Sequence, residues 1–374
     1  MRVTLRVCWH SVLLLAALGL TSCAAPPAST SAACQESKLS PENAFFDLEP
    51  EGLKLLWRQD LGQLSDRQLR DVYCAGPIVV VEAEGGEIHC LNAANGVWKA
   101  TEVLRSSLDR APVFMDQALV LVVKNALCRF DTVTGSLSRP FHPGFAVSTS
   151  PLVYGDSLIL AGGNGHLQRV SLETGDADWI CSLAGWIAQK PAMGDGVVFA
   201  AAEGDEAVAV QASDGLELWH WRPAEPSRLC SGVAVLGSRV FLGDDRGFVY
   251  ALNADTGDVR WKGMAEASIV GRPQTIGTDL LVLTAKPDLM SLDAGADLRK
   301  LWQCNGPVRV LAVGDAVVYV LNSDHSVAAL SRQSGERLWC HPLPPDCRIV
   351  GDANRPALYI ANSAGSIIAL GELD

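Results

Sequence analysis

A turn glycine recurs along this chain at an almost constant interval. Gly96 ("LNAANGVW"), Gly135 ("FDTVTGSL"), Gly175 ("VSLETGDADW"), Gly215 ("VQASDGLELW"), Gly257 ("ALNADTGDVRW"), Gly295 ("SLDAGADLRKLW") and Gly335 ("LSRQSGERLW") are separated by 39, 40, 40, 42, 38 and 40 residues. Around Gly257, alternating apolar residues lead in, Asp, Thr and Gly supply the turn, and the chain leaves towards a tryptophan. That pattern is strand, tight turn, strand, with glycine taking the positive φ. Trp98, Trp179, Trp219, Trp261, Trp302 and Trp339 follow the turns, and only the second copy lacks a tryptophan, with Arg139 in its place. Two strands alone are marginal in water, so copies in such register must pack against one another.

A second hairpin precedes each of these. "SPLVYGDSLILAGGNGHLQRVSLETGDADW" (150–179) reads as four strands joined by a Gly-Asp turn, a Gly-rich turn and a Thr-Gly turn. The plan returns at Gly194-Asp195, Gly237-Ser238, Gly277-Thr278 and Gly314-Asp315. Four short strands per repeat of about 40 residues predict an all-β propeller of four-stranded antiparallel blades. A parallel α/β sheet is excluded because no helical period separates the strands. Trp57 lies 41 residues before Trp98 without strands of its own, and "ALYIANSAGSIIALGELD" supplies early strands without a tryptophan strand. The fragments complement each other. The expectation is eight blades, the ring closed by the Trp57 strand pairing near Ile367–Leu370, which protects the sheet edges.

"ALNADTGDVRW" resembles the repeat of quinoprotein-type (PQQ-like) propellers, in which the tryptophan docks between neighbouring blades; it lacks the Trp-Asp ending of WD40 repeats. The resemblance spans residues 53–374 and implies structural docking by Trp57, Trp98, Trp179, Trp219, Trp261, Trp302 and Trp339.

The N-terminus has Arg2 and Arg6, an apolar run Val12–Leu20 and small residues before Cys23. That run is too short to span a bilayer and reads as a signal peptide, residues 1–22. "LTSC" is similar to a bacterial lipobox, which implies lipidation of Cys23; Ala24 after it resembles an outer-membrane address. Residues 23–52 then form a tether of small and polar residues with one short helix, which Phe45 and Phe46 dock on the propeller. Removing two arginines and no acid with the signal peptide moves the formal charge from −12 to −14. Such an acidic balance excludes nucleic acid and anionic lipid as main partners.

Of the nine further cysteines none form a CxxC and no two are adjacent. Most fit as small core residues; Cys340 and Cys347, flanking "HPLPPD", are the best placed for a disulfide. No Cys/His cluster has zinc spacing, and the seven histidines show no repeated arrangement. Quinone-dependent dehydrogenases share the resemblance, but they add adjacent cysteines, calcium ligands and long insertions. This chain therefore reads as non-catalytic, with no cofactor or metal.

The blade-entry segments contain Arg110, Lys190, Arg228, Arg272, Arg309 and Arg348, about one basic residue per blade. Converging at the central channel, they would make a positive mouth for carboxylates or acidic peptide. Each is also explained as an independent solvated charge. Trp186 and Trp221 lie in blade connections, as protein contacts or as packing under a loop.

A lipid-anchored propeller of eight blades resembles the BamB family of the outer-membrane β-barrel assembly machinery. The resemblance implies a monomeric scaffold at the periplasmic face of the outer membrane, contacting a protein partner such as a β-barrel insertase. A ligand sensor using the channel mouth and a PQQ-dependent oxidoreductase are the alternatives.

Overall fold

In strand Ala118–Val123 (ALVLVV), successive side chains point to opposite faces. Leu119 and Leu121 pack into one buried cluster and Val120 and Val122 into another. Ile78–Ala83 (IVVVEA) divides in the same way, with Val79 and Val81 on one side and Ile78 and Val80 on the other. These strands are apolar on both faces because each is sandwiched between two other sheets.

The computed structural model describes residues 52–62, 68–295 and 297–372. The predicted all-β eight-bladed propeller is what it shows. Blade 1 spans residues 69–103, blade 2 108–131, blade 3 152–182, blade 4 192–221, blade 5 234–264, blade 6 269–305 and blade 7 307–342. Blade 8 combines residues 348–372 with strand Leu53–Asp60, which pairs antiparallel with Ser366–Glu372 and sets Trp57 opposite Ala369. Eight buried clusters join the described residues, each between consecutive blades, and the last joins blade 8 to blade 1 through Trp57, Tyr359, Val79 and Val81. The ring is closed.

Blade 2 departs from four strands. Outside Ala126–Asp131 the chain makes only the bridges Phe130↔Leu137 and Leu127↔Phe141. Ser138 Oγ accepts the Arg129 N–H at 2.9 Å, and Pro140 has no N–H to donate, so no continuous ladder forms.

Four tryptophans lie on the turn of the following blade. The indole N–H of Trp57 donates to Ala93 O at 3.0 Å, Trp179 to Ala212 O at 3.0 Å, Trp219 to Ala254 O at 2.8 Å and Trp302 to Arg332 O at 2.7 Å. Every acceptor is three residues before that blade's turn residue, Gly96, Gly215, Gly257 or Gly335. A Cβ on Gly96, whose φ is +69°, would come within 2.5 Å of the Trp57 ring. Glycine is thus required there for both backbone and space.

Trp98 is a correction to the expected docking set. It is 60% exposed, donates to Ala100 O in its own strand, and leaves Gly135 with nothing within 4 Å of its Cβ position. Docking tryptophans stand just after a register shift in the outer strand, as Trp179 does after Ala177; in blade 1 that place belongs to the buried Ala100 and Trp98 is two residues early. Phe141 takes the role that Arg139 does not, packing its ring on Gly175. In blade 6 the positive-φ residue of the turn is Leu298, at +54°, not Gly295, which accounts for the displacement of Trp302. Trp261 and Trp339 are half-buried at the edges of the clusters they join.

Candidate binding site at the propeller axis

The first strand of each blade is the innermost, and these strands contact one another from blade to blade. Ser231 and Gly271 form a parallel bridge, and Gly232 N–H donates to Gly271 O at 2.8 Å. The channel wall is therefore inner-strand backbone, and side chains projecting from it face the axis. A cavity of about 500 Å³ runs along the inner strands of blades 5 to 8, lined by Arg272, Gln274, Thr275, Ala312, Asp352 and Asn354 among others.

Lys190 and Arg272 come together. Each stands two residues before an equivalent inner-strand position, Ala192 in blade 4 and Gln274 in blade 6, with a proline between, Pro191 or Pro273. Burial and then the Arg272 charge lower the Lys190 pKa to about 8. The two belong to blades separated by a whole blade, and Gly232 fills the equivalent position in between. A Cβ on Gly232 would lie 2.9 Å from the Arg272 Cβ. A side chain at this position would crowd Arg272, and no motif in the sequence announces the glycine. Burial also lowers the Arg272 pKa. Neither cation has a hydrogen-bonded or ion-paired partner among the described residues.

Three of the other four basic residues hydrogen-bond through their guanidinium groups. Arg309 donates from Nη2 to Ile349 O at 2.7 Å; burial lowers its pKa while Asp71 pulls it back up. Arg348 donates to Arg70 O at 3.2 Å and Cys347 O at 3.1 Å. Arg110 donates to Asp109 O at 2.6 Å, and its Nε is buried without a partner. Arg228 is exposed, with its backbone bonded to Asp245.

Trp186 is 49% exposed four residues before Lys190, held by a bridge to Glu203. Trp221 is half-buried and packs edge-on against Tyr250 at 5.0 Å. Asp244 is fully buried and accepts from Arg246 N, Phe248 N and Tyr250 Oη at 2.8–3.0 Å, which makes it a turn-forming residue. Among the described residues no group of three or more His, Cys, Asp or Glu is placed to hold a metal ion. Cys347 carries a free thiol while Cys340 is disulfide-bonded, so the expected pair is corrected: the two are not joined. Cys347 is buried beside Ile349 and Leu343. Cys23 and the signal peptide lie outside the described residues.

A closed ring of eight blades, with indoles seated on neighbouring turns, defines a propeller of the quinoprotein-repeat class. Within it the chain belongs to the family described as outer membrane protein assembly factor BamB, whose model matches residues 47–180, 136–231 and 221–355. The protein of that name from Escherichia coli (strain K12) is 36% identical over 91 residues, 22% of this chain and 23% of that one. The one from Bordetella pertussis (strain Tohama I) is 21% identical over 299 residues, covering 73% and 77%. The chain thus aligns with under a quarter of the Escherichia coli protein's length and with about three quarters of the Bordetella one.

Among solved structures, BamB from Moraxella catarrhalis superposes with a TM-score of 0.68 at 15% identity, over 85% of this chain and 97% of that one. A quinohemoprotein alcohol dehydrogenase from Pseudomonas putida HK5 does so with 0.61 at 12% identity, over 86% and 76%. At these identities the likeness is one of fold.

Proposed function

We infer that this chain is a non-catalytic, lipid-anchored scaffold at the periplasmic face of the outer membrane, serving the assembly of β-barrel proteins. The observation that carries this is the family match running from residue 47 to 355, which covers blades 1 to 7 and not one repeat. Relatives bearing the assembly-factor name supply the process. Residues 1–22 as signal peptide, Cys23 as lipidated residue and 23–52 as tether supply the anchor. Arg110, Arg309 and Arg348 hydrogen-bond within the fold, so partner contact falls to Trp186, Lys190, Arg272 and the exposed Arg228. An exposed indole beside two unpaired cations suits an acidic segment of a protein partner, since aromatic and guanidinium groups carry much of the energy at such contacts.

The axial cavity supports a second reading, a sensor of small anionic ligands at Arg272. A quinone-dependent oxidoreductase has less support, because the described residues offer no cluster of metal-binding donors and the sequence no adjacent cysteines.

The test is a mild-detergent pull-down of the lipidated protein from its own membranes, with mass spectrometry of what is retained. The reading expects a β-barrel insertase, enriched over a Cys23→Ala control and reduced in Arg272→Glu. Absence of that insertase, while other lipoproteins are retained normally, overturns it. Binding of citrate or phosphate that is lost in Arg272→Ala would then favour the sensor.

A further inference from the structure

Four seams are closed by an indole that donates to the turn of the following blade. The seam between blades 5 and 6 is not. By position, the acceptor for Trp261 is Ala294 O, since Ala294 follows strand Asp288–Asp293 as Ala254 follows Phe248–Asn253. The Trp261 indole N–H has no hydrogen-bond partner among the described residues, and Arg239 Nη1 donates to Ala294 O instead.

Two local features empty this seat. Residues two apart on a strand share a face. Gln59, Cys181, Trp221 and Cys304 stand two beyond the docked tryptophans, where blade 5 has Gly263. The Trp261 ring lies back along its own strand over that glycine, on which a Cβ would come within 2.2 Å of Cζ3. The facing turn is also one residue longer: Leu298 N–H donates to Asp293 O, whereas Gly257 N–H donates to Asn253 O. Its positive-φ residue carries a buried leucine side chain where the other seats have a bare glycine.

A cavity of about 330 Å³ is left, lined by Ser238, Arg239, Asn253, Arg260, Trp261 and Leu298 among others, and it shares no lining residue with the axial cavity. Its polar side chains offer donors. Arg239 is half-buried and makes no hydrogen bond or ion pair besides the one to Ala294 O among the described residues. Arg260 is exposed and makes none. Asn253 Oδ1 accepts the Asp255 and Thr256 N–H groups at 2.8 and 3.0 Å, which leaves its Nδ2 donor. No carboxylate is among the lining residues. Arg239 begins the second strand of blade 5, where the other blades have Ile, Ala, Ser, Val or Asp. The larger space of about 580 Å³ between blades 6 and 7 has Asp279 in that place, ion-paired to Arg332 at 2.9 Å, so its cation is already neutralised.

We propose that the seam between blades 5 and 6 binds a small aromatic carboxylate, with its ring beside Trp261 in the vacated seat and its carboxylate held by Arg239 and Arg260. Guanidinium groups pair with carboxylates through charge-assisted hydrogen bonds, and an aromatic ring is a natural neighbour for an indole. The volume lies at the small end of ligand pockets and suits a molecule of one or two rings. None of these residues serves the partner contact above, so either reading stands or falls alone.

The test is titration calorimetry of the full-length protein with indoleacetate. One site per chain is expected, with a Kd of about 1 mM or tighter for a ligand of this size. Arg239→Gln and Arg260→Gln should each weaken binding about tenfold, as loss of one charge-assisted hydrogen bond does. The exposed Arg260 keeps the test valid if loss of the Ala294 bond disturbs the seam. Gly263→Ala, which drives the Trp261 ring off its strand, should abolish binding, and Arg272→Gln should leave it unchanged. Tryptophol, which keeps the indole and lacks the charge, should bind about tenfold more weakly or worse. No binding up to about 10 mM, equal binding of tryptophol, or a loss in Arg272→Gln with Arg260→Gln unaffected overturns the proposal.

Discussion

Gly96→Ala and Gly135→Ala are a matched pair that isolates the worth of blade docking. Both glycines stand in the same turn of consecutive blades and share a φ of +69°. Each alanine therefore suffers the same left-handed backbone strain, about 1 kcal/mol. At Gly135 the added methyl meets nothing within 4 Å; at Gly96 it would lie 2.5–2.6 Å from two ring carbons of Trp57. The ring must shift, at about 1–3 kcal/mol for overpacking. If the shift breaks the 3.0 Å bond from the indole to Ala93 O, a buried donor is lost at about 1 kcal/mol more. The expected totals are roughly 1 kcal/mol for Gly135→Ala and 2–5 for Gly96→Ala. For a cooperative unit of this size 1 kcal/mol moves the melting temperature by about 1.5 °C. Differential scanning calorimetry should show drops of roughly 1–2 °C and 3–7 °C. Equal drops would refute the claim that Trp57 on Gly96 holds the ring shut.

Trp57→Ala should cost about 3–5 kcal/mol and Trp98→Ala under about 0.5, read by the same calorimetry, since only the first ring is buried. Lys190 binds its proton less tightly folded than unfolded, so between about 8 and its ordinary value the unfolded chain holds more protons and stability rises with pH. Urea midpoints should climb from pH 7.5 to 10, and Lys190→Met should flatten that climb; an unchanged slope would place Lys190 in open solvent. Burial pushes the Glu206 carboxyl up, but the Ala184 N–H, Arg222 and His220 outweigh it and hold the carboxyl below its usual range. Its stabilisation is present above the unfolded pKa and fades as pH falls through the folded one. Glu206→Gln should lower stability at pH 7 and reduce the loss on going to pH 3, measured by urea melts. Gly232→Ala should push Arg272 off its place and weaken capture of an acidic partner while leaving the melting temperature within about 2 °C, detected by titration calorimetry.

The sequence by itself determined the ring. A turn glycine every 40 residues or so, a tryptophan four residues later and complementary half-blades at the two ends specify number, strand order and closure, because hairpin periodicity is local chemistry. The same local reading held for Trp179, Trp219 and Trp302, whose acceptors lie three residues before a turn. Trp98 could have been set aside from its spacing of two, which puts Ala100 in the docking slot. Only the tertiary structure decided the rest. Which basic residues act on one another depends on inner-strand register: Arg110 and Lys190 look alike in sequence, yet one bonds to its own backbone neighbour and the other is buried within reach of the Arg272 charge. Cys340 and Cys347 are seven residues apart, but the first leaves its strand towards a disulfide and the second is buried with Ile349. Proximity in the chain fixes turns; proximity across blades is set by packing, and the candidate site lies across blades.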